Sequence, residues 1–312
     1  RGIATVNNPA DFLQPAQQLH DWLITPVEAA LQKRGVETIG LILDAGLRSL
    51  PMAALSNGET FLIERYSLSL LPSLTLTDQD YASVEDAEVL AMGTEEFNLS
   101  LEVALPPLPA VPEEIEVITE ELWEGASYLG EAFTQENLRE ARQQTPYGIV
   151  HLATHAEFQR GALDNSYIAF YDEVLKLPEL GQLNLANPQV TLLVLSACRT
   201  AFGSREAELG FAGLAVGSGV KNALGSLWYI SDQGTLAFMS HFYEELGQPI
   251  LKAEALRQTQ LSLLQKTVYF EDEGLVTPQA NYSLSPEFAE VGRKELHHPY
   301  YWSAFTLIGT PW

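Results

Sequence analysis

Short apolar runs interleaved with helix-period segments constrain this chain more than any other feature. Val89-Leu-Ala-Met-Gly93, Ile149–Ala153, Val190–Ser196 and Ala223–Trp228 are strand-length and apolar nearly throughout. Runs of that kind are buried on both faces rather than on one. Helical patterns fall near Glu113–Glu124, at 135–144, at Ala207–Ser218, at Gly234–Leu246 and from Pro249 to about Lys266. The alternation predicts an α/β fold with a mainly parallel sheet covered by helices on both faces. The tail Tyr300–Gly309 reads as a returning apolar strand, and the polar, acidic, turn-rich stretch 267–296 as a surface loop. Ahead of this region the rhythm differs. Apolar residues near helical spacing predict a helix over Asp11–Arg34, kinked at Pro26 and stopped by Gly35. Ile39–Leu43 reads as a strand, and Asn57-Gly58 as a hairpin turn with strands around Phe61, Ile63, Tyr66, Leu68 and Leu70. Residues 1–86 thus read as a helix and small β-sheet subregion, and 87–312 as the main unit.

Composition narrows the function classes. With 46 % hydrophobic and 19 % charged residues, 312 residues suffice for a large core. No apolar run reaches the roughly 18 residues of a spanning helix, and no basic-then-apolar signal opens the chain. Forty-one acids against 17 bases leave a net charge of −24. Such a charge repels phosphate backbones, which argues against nucleic acid or a membrane as the main partner and suits a basic ligand. The single cysteine, Cys198, forms no internal disulfide, so no oxidising compartment is implied and a cytoplasmic location is expected.

In open α/β sheets function collects at the carboxyl ends of strands. Two apolar strands there lead to reactive side chains, Ile149-Val-His-Leu-Ala-Thr-His155 and Val190-Thr-Leu-Leu-Val-Leu-Ser-Ala-Cys198. The separation of 43 residues from His155 to Cys198 allows a crossover that makes the strands neighbours or near-neighbours. A thiol needs an imidazole nearby to become a thiolate, and the imidazole can then protonate the leaving amine. The bland alternative is a small buried cysteine after Leu-Leu-Val-Leu. Against it stands the switch to Arg-Thr-Ala-Phe-Gly straight after Cys198.

Other signals carry less. His151 and His155 would stand about 13 Å apart along a strand, too far for one metal ion, so His151 reads as a packed strand residue. Gly217-Ser-Gly-Val-Lys-Asn222 would follow a helix, so its glycines read as close-packing residues rather than a dinucleotide loop. His297-His298 reads as solvated, as do the acids between Glu113 and Glu140.

The stretch Ser-Ala-Cys-Arg-Thr is close to the caspase nucleophile signature Gln-Ala-Cys-Arg-Gly, whose histidine lies about 50 residues upstream. Further segments match in order and spacing. They are Leu43-Asp-Ala-Gly-Leu-Arg-Ser-Leu-Pro-Met-Ala-Ala-Leu55, Tyr66 with Leu71-Pro-Ser73, Glu208-Leu-Gly-Phe-Ala-Gly213, Ser226-Leu-Trp-Tyr-Ile-Ser-Asp232 and His298-Pro-Tyr-Tyr-Trp-Ser-Ala-Phe305. Together they resemble the bacterial CHAT proteins, caspase-like modules related to separases and often attached to tetratricopeptide repeats. The likeness runs over nearly the whole chain from about residue 12.

The resemblance implies a caspase-like three-layer sandwich and cysteine endopeptidase chemistry without a metal or organic cofactor. His155 would be the general base and acid and Cys198 the nucleophile. The N–H groups of Ala156 and Cys198 would form the oxyanion hole, although the common family pattern has glycine where this chain has Ala156. The segment ending at Asp232 looks like the separase stretch that places an aspartate in the pocket for a basic P1 residue. Asp232 also stands where an ordinary helix N-cap would, and both readings stay open, with Glu95 and Glu96 as further candidate pocket acids. A start at Arg1 fits a piece of a longer chain. The implied partners are a protein substrate with a basic P1 residue and an upstream repeat segment or regulatory protein. Residues 157–189 and 267–296 are the connections such a partner would order. The other class of reading is a catalytically silent interaction module that uses the fold and its acidic surface.

Overall fold

A computed structural model describes residues 12–44, 46–75, 80–99, 104–159, 163–200, 211, 213–272, 274–286, 288 and 293–312. The main sheet runs, in spatial order, β1 (Thr38–Leu41), β2 (Ser67–Leu70), β14 (Phe305–Gly309), β9 (Asn222–Ser226), β8 (Leu192–Thr200), β5 (Ile149–Phe158), β3 (Val89–Gly93) and β4 (Gly125–Leu129). Two short strands, β6 (Tyr167–Ala169) and β7 (Val174–Lys176), extend it from the far end of β5. From β9 to β4 all neighbours are parallel. β14 runs antiparallel to β9 and parallel to β2, which is parallel to β1. The sheet is therefore two parallel blocks joined at β14.

Every residue of β3 and β9 is buried, which requires cover on both faces. One layer is formed by α3 (Val111–Glu116, continued as a π-helix over Val117–Leu122), α6 (Asp232–Leu246) and α7 (Lys252–Leu264). The other is formed by α4 (Gln135–Gln144), the 3₁₀ run Leu177–Leu183 and α5 (Leu214–Ser218). This is the expected three-layer arrangement. Thr134 caps α4 by accepting from Asn137 N at 3.1 Å. The buried Arg142 of α4 donates to the carbonyls of Leu183, Asn184 and Pro188, tying helix to loop. Gly93 ends β3 because a Cβ there would stand 2.6 Å from the Ala153 carbonyl and 2.8 Å from Val111 Cγ1. A side chain would push β3 away from both β5 and α3.

Several expectations are corrected. The first 86 residues do not form a sheet of their own, because β1 and β2 are one edge of the main sheet and share its apolar core. The opening helix is two, α1 (Leu13–Leu23) and α2 (Thr25–Lys33), broken at Ile24 just ahead of Pro26. Gly35 stops the pair with φ +61°. Asn57-Gly58 does make a turn, with Gly58 at φ +96° and Asn57 N bonded to Thr60 O. It joins the single bridge Ser56–Phe61 and 3₁₀ turns rather than strands.

Residues 267–296 are not a loose loop. β10 (Tyr269–Glu271), β11 (Gly274–Val276), β12 (Asn281–Ser283) and β13 (Lys294–Glu295) form a small antiparallel sheet. Phe270, Leu275 and Tyr282 are buried beneath it. Glu244 of α6 accepts from Tyr282 Oη at 2.6 Å and from Thr277 Oγ1 at 2.7 Å. The connection 157–189 likewise carries β6 and β7. The tail begins with a helical turn, α8 (Pro299–Trp302), before β14. Part of the predicted helix Ala207–Ser218 lies outside the described residues; within them Leu214–Ser218 is helical.

Candidate active site

β5 and β8 are direct neighbours, and their register sets His155 beside Ala197 and Ala156 beside Cys198. The backbone of the cysteine thus lies one residue from that of the histidine on an adjacent strand. Both residues stand inside their strands rather than beyond them, since pairing continues to Phe158 and Thr200. Ala156 also pairs with Ile168 on its other side, so it is flanked by β8 and β6. The side chain of Cys198 lies outside what is described.

The His155 ring is only 6 % exposed, and three segments enclose it. Its Nε2 is 2.8 Å from the carbonyl oxygen of Pro106. A carbonyl only accepts, so Nε2 carries a proton, and in the neutral imidazole Nδ1 then keeps its lone pair. The Pro-rich run supplies that carbonyl for a physical reason. Prolines have no N–H and favour extended, unpaired backbone, which leaves oxygens free for a side chain. Phe97 lies 5.3 Å from the imidazole, ring centre to ring centre, and Tyr229 lies 6.2 Å away. Leu108 N donates to Glu95 O at 2.9 Å, stitching the loop after β3 to the Pro-rich segment. An imidazole so held is oriented by the main chain, with Nδ1 available as a base.

Asp232 is the first residue of α6, and Ser231 before it is the cap, accepting from Gly234 N at 3.3 Å. The capping reading of Asp232 is corrected. Its Oδ1 accepts instead from Tyr229 Oη at 2.7 Å. Burial pushes the Asp232 carboxyl up from its usual range, the Tyr229 bond opposes this, buried Glu114 raises it and His155 lowers it. Asp232 therefore shares an electrostatic neighbourhood with His155. Burial also raises the Tyr229 phenol, with Asp232 adding to it.

Glu95 and Glu96 are both exposed. Their backbone carbonyls hold the loop, Glu95 O through Leu108 N and Glu96 O through Thr94 Oγ1 at 2.5 Å. It is the next residue, Phe97, that reaches His155. Sequence reasoning missed Phe97, Pro106 and Tyr229. Their one signal was apolar or proline residues inside acidic or polar loops.

Beneath the site a second polar group is sealed. His151 is fully buried, as expected of a packed strand residue, with Nε2 2.8 Å from Glu114 Oε1 and Nδ1 3.2 Å from Tyr243 Oη. Glu114 is only 2 % exposed, which corrects its reading as a solvated helix acid. His298 is buried too, with Nδ1 accepting from Tyr300 N at 3.1 Å and its ring against Phe12. Among the described residues no cluster of His, Cys, Asp or Glu is arranged to hold a metal ion. No helix there is long and apolar enough to cross a membrane.

A mainly parallel sheet between two helical layers, with histidine and cysteine on neighbouring strands, defines a caspase-like α/β module. The CHAT domain model matches residues 13–310, and the chain belongs to that family. No curated protein matches it. Among solved structures it is similar to Porphyromonas gingivalis RgpB in the complex of its pro- and mature domains. That match has 10 % identity and a TM-score of 0.52, over 98 % of this chain and 69 % of that one. The Arg specific cysteine proteinase gingipain R (RgpB) aligns at 10 % identity with a TM-score of 0.48, over 99 % of this chain and 69 % of that one. Saccharomyces cerevisiae separase, in its complex with securin, aligns at 11 % identity with a TM-score of 0.49. The alignment takes in 87 % of this chain, which spans 15 % of the separase chain. At these identities the likeness concerns the fold alone.

Proposed function

We propose that this CHAT domain is a cysteine endopeptidase that cleaves after a basic P1 residue. The observation that carries the proposal is the β5–β8 register, which sets the Cys198 backbone next to Ala156 and one residue from an imidazole fixed on the Pro106 carbonyl. In this reading Nδ1 of His155 takes the thiol proton, and the Cys198 thiolate attacks the scissile carbonyl. The imidazolium then protonates the leaving amine, and water hydrolyses the acyl-enzyme. The N–H groups of Ala156 and Cys198 hold the oxyanion, exchanging ladder partners at that end of the sheet for the substrate. Neither step requires a metal or organic cofactor.

Asp232 is the S1 acid in this scheme. Its carboxylate, half-shielded and near His155, would take a guanidinium or ammonium through charge-assisted hydrogen bonds. Glu95 and Glu96, exposed in the loop that also carries Phe97, would add attraction without enclosing the side chain. An upstream repeat segment or a regulatory protein is the proposed control. The test is labelling of Cys198 by an acyloxymethylketone peptide with a basic P1 residue, beside the same probe with an acidic one. Labelling by the basic probe alone is expected. No labelling in the presence of any partner, with the fold intact, would leave a silent interaction module as the reading.

A further inference from the structure

The opposite end of the sheet carries a second surface that the peptidase reading does not use. β4 is the outermost strand, paired on one side with β3 and, among the described residues, with nothing on the other. Val89 of β3 stands opposite Gly125, and its N–H donates to Glu124 O at 3.0 Å. In parallel pairing a residue bonds to the two positions flanking its partner, so Ala126 and Tyr128 turn their backbone groups toward β3. Ser127 and Leu129 therefore turn theirs to the free edge. The strand, Gly-Ala-Ser-Tyr-Leu, carries no lysine, no proline and no bulge, the devices that ordinarily protect such an edge.

At the amino end of this edge opens a cavity of about 390 Å³, lined by Glu85, Asp86, Glu88, Glu124 and Trp123. Glu88 and Glu124 directly precede β3 and β4, so the cavity continues the strand edge. No salt bridge engages any of these four carboxylates among the described residues. They form no metal-holding cluster, which leaves a larger organic cation as the fitting charge. The Trp123 indole is held in place by Nε1 donating to Tyr243 O at 3.0 Å, giving a fixed aromatic wall of the kind that attracts ammonium and guanidinium groups. A second copy of this chain, itself at −24, would meet like charge here.

We propose that the β4 edge and its acidic cavity dock an extended, basic segment of a partner protein, which adds to the sheet as a further strand. Main-chain pairing with Ser127 and Leu129 supplies affinity, and lysine or arginine side chains entering the cavity supply selectivity. Because β3, β4 and β5 are parallel, the cavity lies at the end of the sheet opposite to His155, and the strand edge runs from it to Leu129, level with Ala153.

The test uses the full chain and a short fluorescein-labelled peptide alternating lysine or arginine with valine and threonine, read by fluorescence anisotropy. Three comparisons accompany it: the same peptide N-methylated at alternate amides, a version with glutamate in place of the basic residues, and a salt series. Binding is expected only for the unmodified basic peptide, with amide-exchange protection at 125–129. Glu88→Gln with Glu124→Gln should weaken it about tenfold, the scale of losing charge-assisted contacts. Ser127→Pro should abolish it, since it removes an outward N–H without touching the β3 ladder. Equal binding by the N-methylated peptide would reduce the effect to the general negative field and overturn the proposal. Protection at the His155 cleft instead of β4, or a dimer of the free chain with β4 protected, would overturn it equally. Active-site labelling of Cys198 stays unchanged in these variants, which separates this test from that of the peptidase.

Discussion

Replacing Glu114 by alanine is the most informative single change, because it opens a sealed hydrogen-bond chain directly below the site. Glu114 is 2 % exposed and His151 fully buried. The Glu114 carboxylate only accepts, so Nε2 of His151 is the protonated nitrogen that donates to it, while Nδ1 pairs with Tyr243 Oη. Alanine leaves that N–H without a partner in a site that water does not reach, at about 1–3 kcal/mol. It also removes one buried methylene at about 0.8 kcal/mol. The expected loss is about 2–4 kcal/mol. Unfolding entropy near the midpoint is roughly 2.1 cal/mol/K per residue, so for a chain of this length the melting temperature should fall by about 5 °C. Differential scanning calorimetry of wild type, Glu114→Ala and Glu114→Gln reads this directly. Gln keeps the shape and an acceptor oxygen and should stay within about 1 kcal/mol of wild type. An alanine variant as stable as wild type would refute the sealed-network argument. A Gln variant as damaged as Ala would show that the charge, not the acceptor, is what His151 requires.

Cys198→Ala should abolish peptide cleavage with the melting temperature nearly unchanged, because thiol to methyl removes little volume; turnover at wild-type rate in a pure preparation would move the nucleophile elsewhere. Asp232→Ala should erase a basic P1 preference in peptide-library profiling while leaving α6 capped by Ser231. Tyr229→Phe removes a bond that lowers the Asp232 carboxyl, so its titration, followed by carboxyl-carbon NMR, should move to higher pH; a downward move would contradict the assignment. Lys252 is buried, with Nζ donating to Ala82 O at 2.7 Å, and burial brings its ammonium down to about 8 from 10.5. The unfolded chain then binds more protons between those values, so this residue's penalty is full below about pH 8 and fades as pH rises toward 10.5. Lys252→Met should accordingly be more stable than wild type at pH 7, with an advantage in chemical denaturation that shrinks by pH 10; an advantage independent of pH would mean the effect is packing.

The apolar strands were legible because burial on both faces leaves no alternation to misread. β3 and β9 came within two residues of their expected limits, and β5 and β8 were placed but ran further, to Phe158 and Thr200. They are longer because β6 pairs with the end of β5 and gives it neighbours that sequence alone does not announce. The tertiary partner also overrode composition at 267–296. Its acids and turns read as a loop, but Phe270, Leu275 and Tyr282 alternate inward, and Glu244 on a distant helix supplies the acceptor that pins them. Glu114 was misread for the same reason. An acid on a helix with acidic neighbours is ordinarily solvated, and only the approach of His151 from β5 makes its burial tolerable. That the strands of His155 and Cys198 are neighbours was legible by spacing and strand context. Pro106 was not, since its contribution is a carbonyl, and main-chain groups leave no mark in the residue type.

The two histidines of β5 stand on either side of one local irregularity, the first sealed in the core and the second the one proposed for the chemistry. Residues four apart on an uninterrupted strand share a face, which would send His151 and His155 to the same layer. Between Leu152 and His155, however, the register slips: β5 advances three residues while β8 advances two. The extra residue is a bulge, which bends the strand and increases its local twist. Thr154 helps to fix that geometry by donating from Oγ1 to Ala169 O on β6 at 2.7 Å. His151, before the bulge, goes into the helical layer against Glu114 and Tyr243, where both nitrogens are occupied and no substrate can reach. His155, after it, meets the loops that carry Phe97, Pro106 and Tyr229. One nitrogen is tethered there, and the other has no hydrogen-bond partner among the described residues. A base needs just that combination of fixed orientation and an unspent lone pair. The bulge also carries the β5–β8 pairing into a new register, in which Ala156, not His155, stands opposite Cys198. The residue assigned to the oxyanion hole and the residue assigned to the proton are thus adjacent on one strand, and both are placed by the same extra residue.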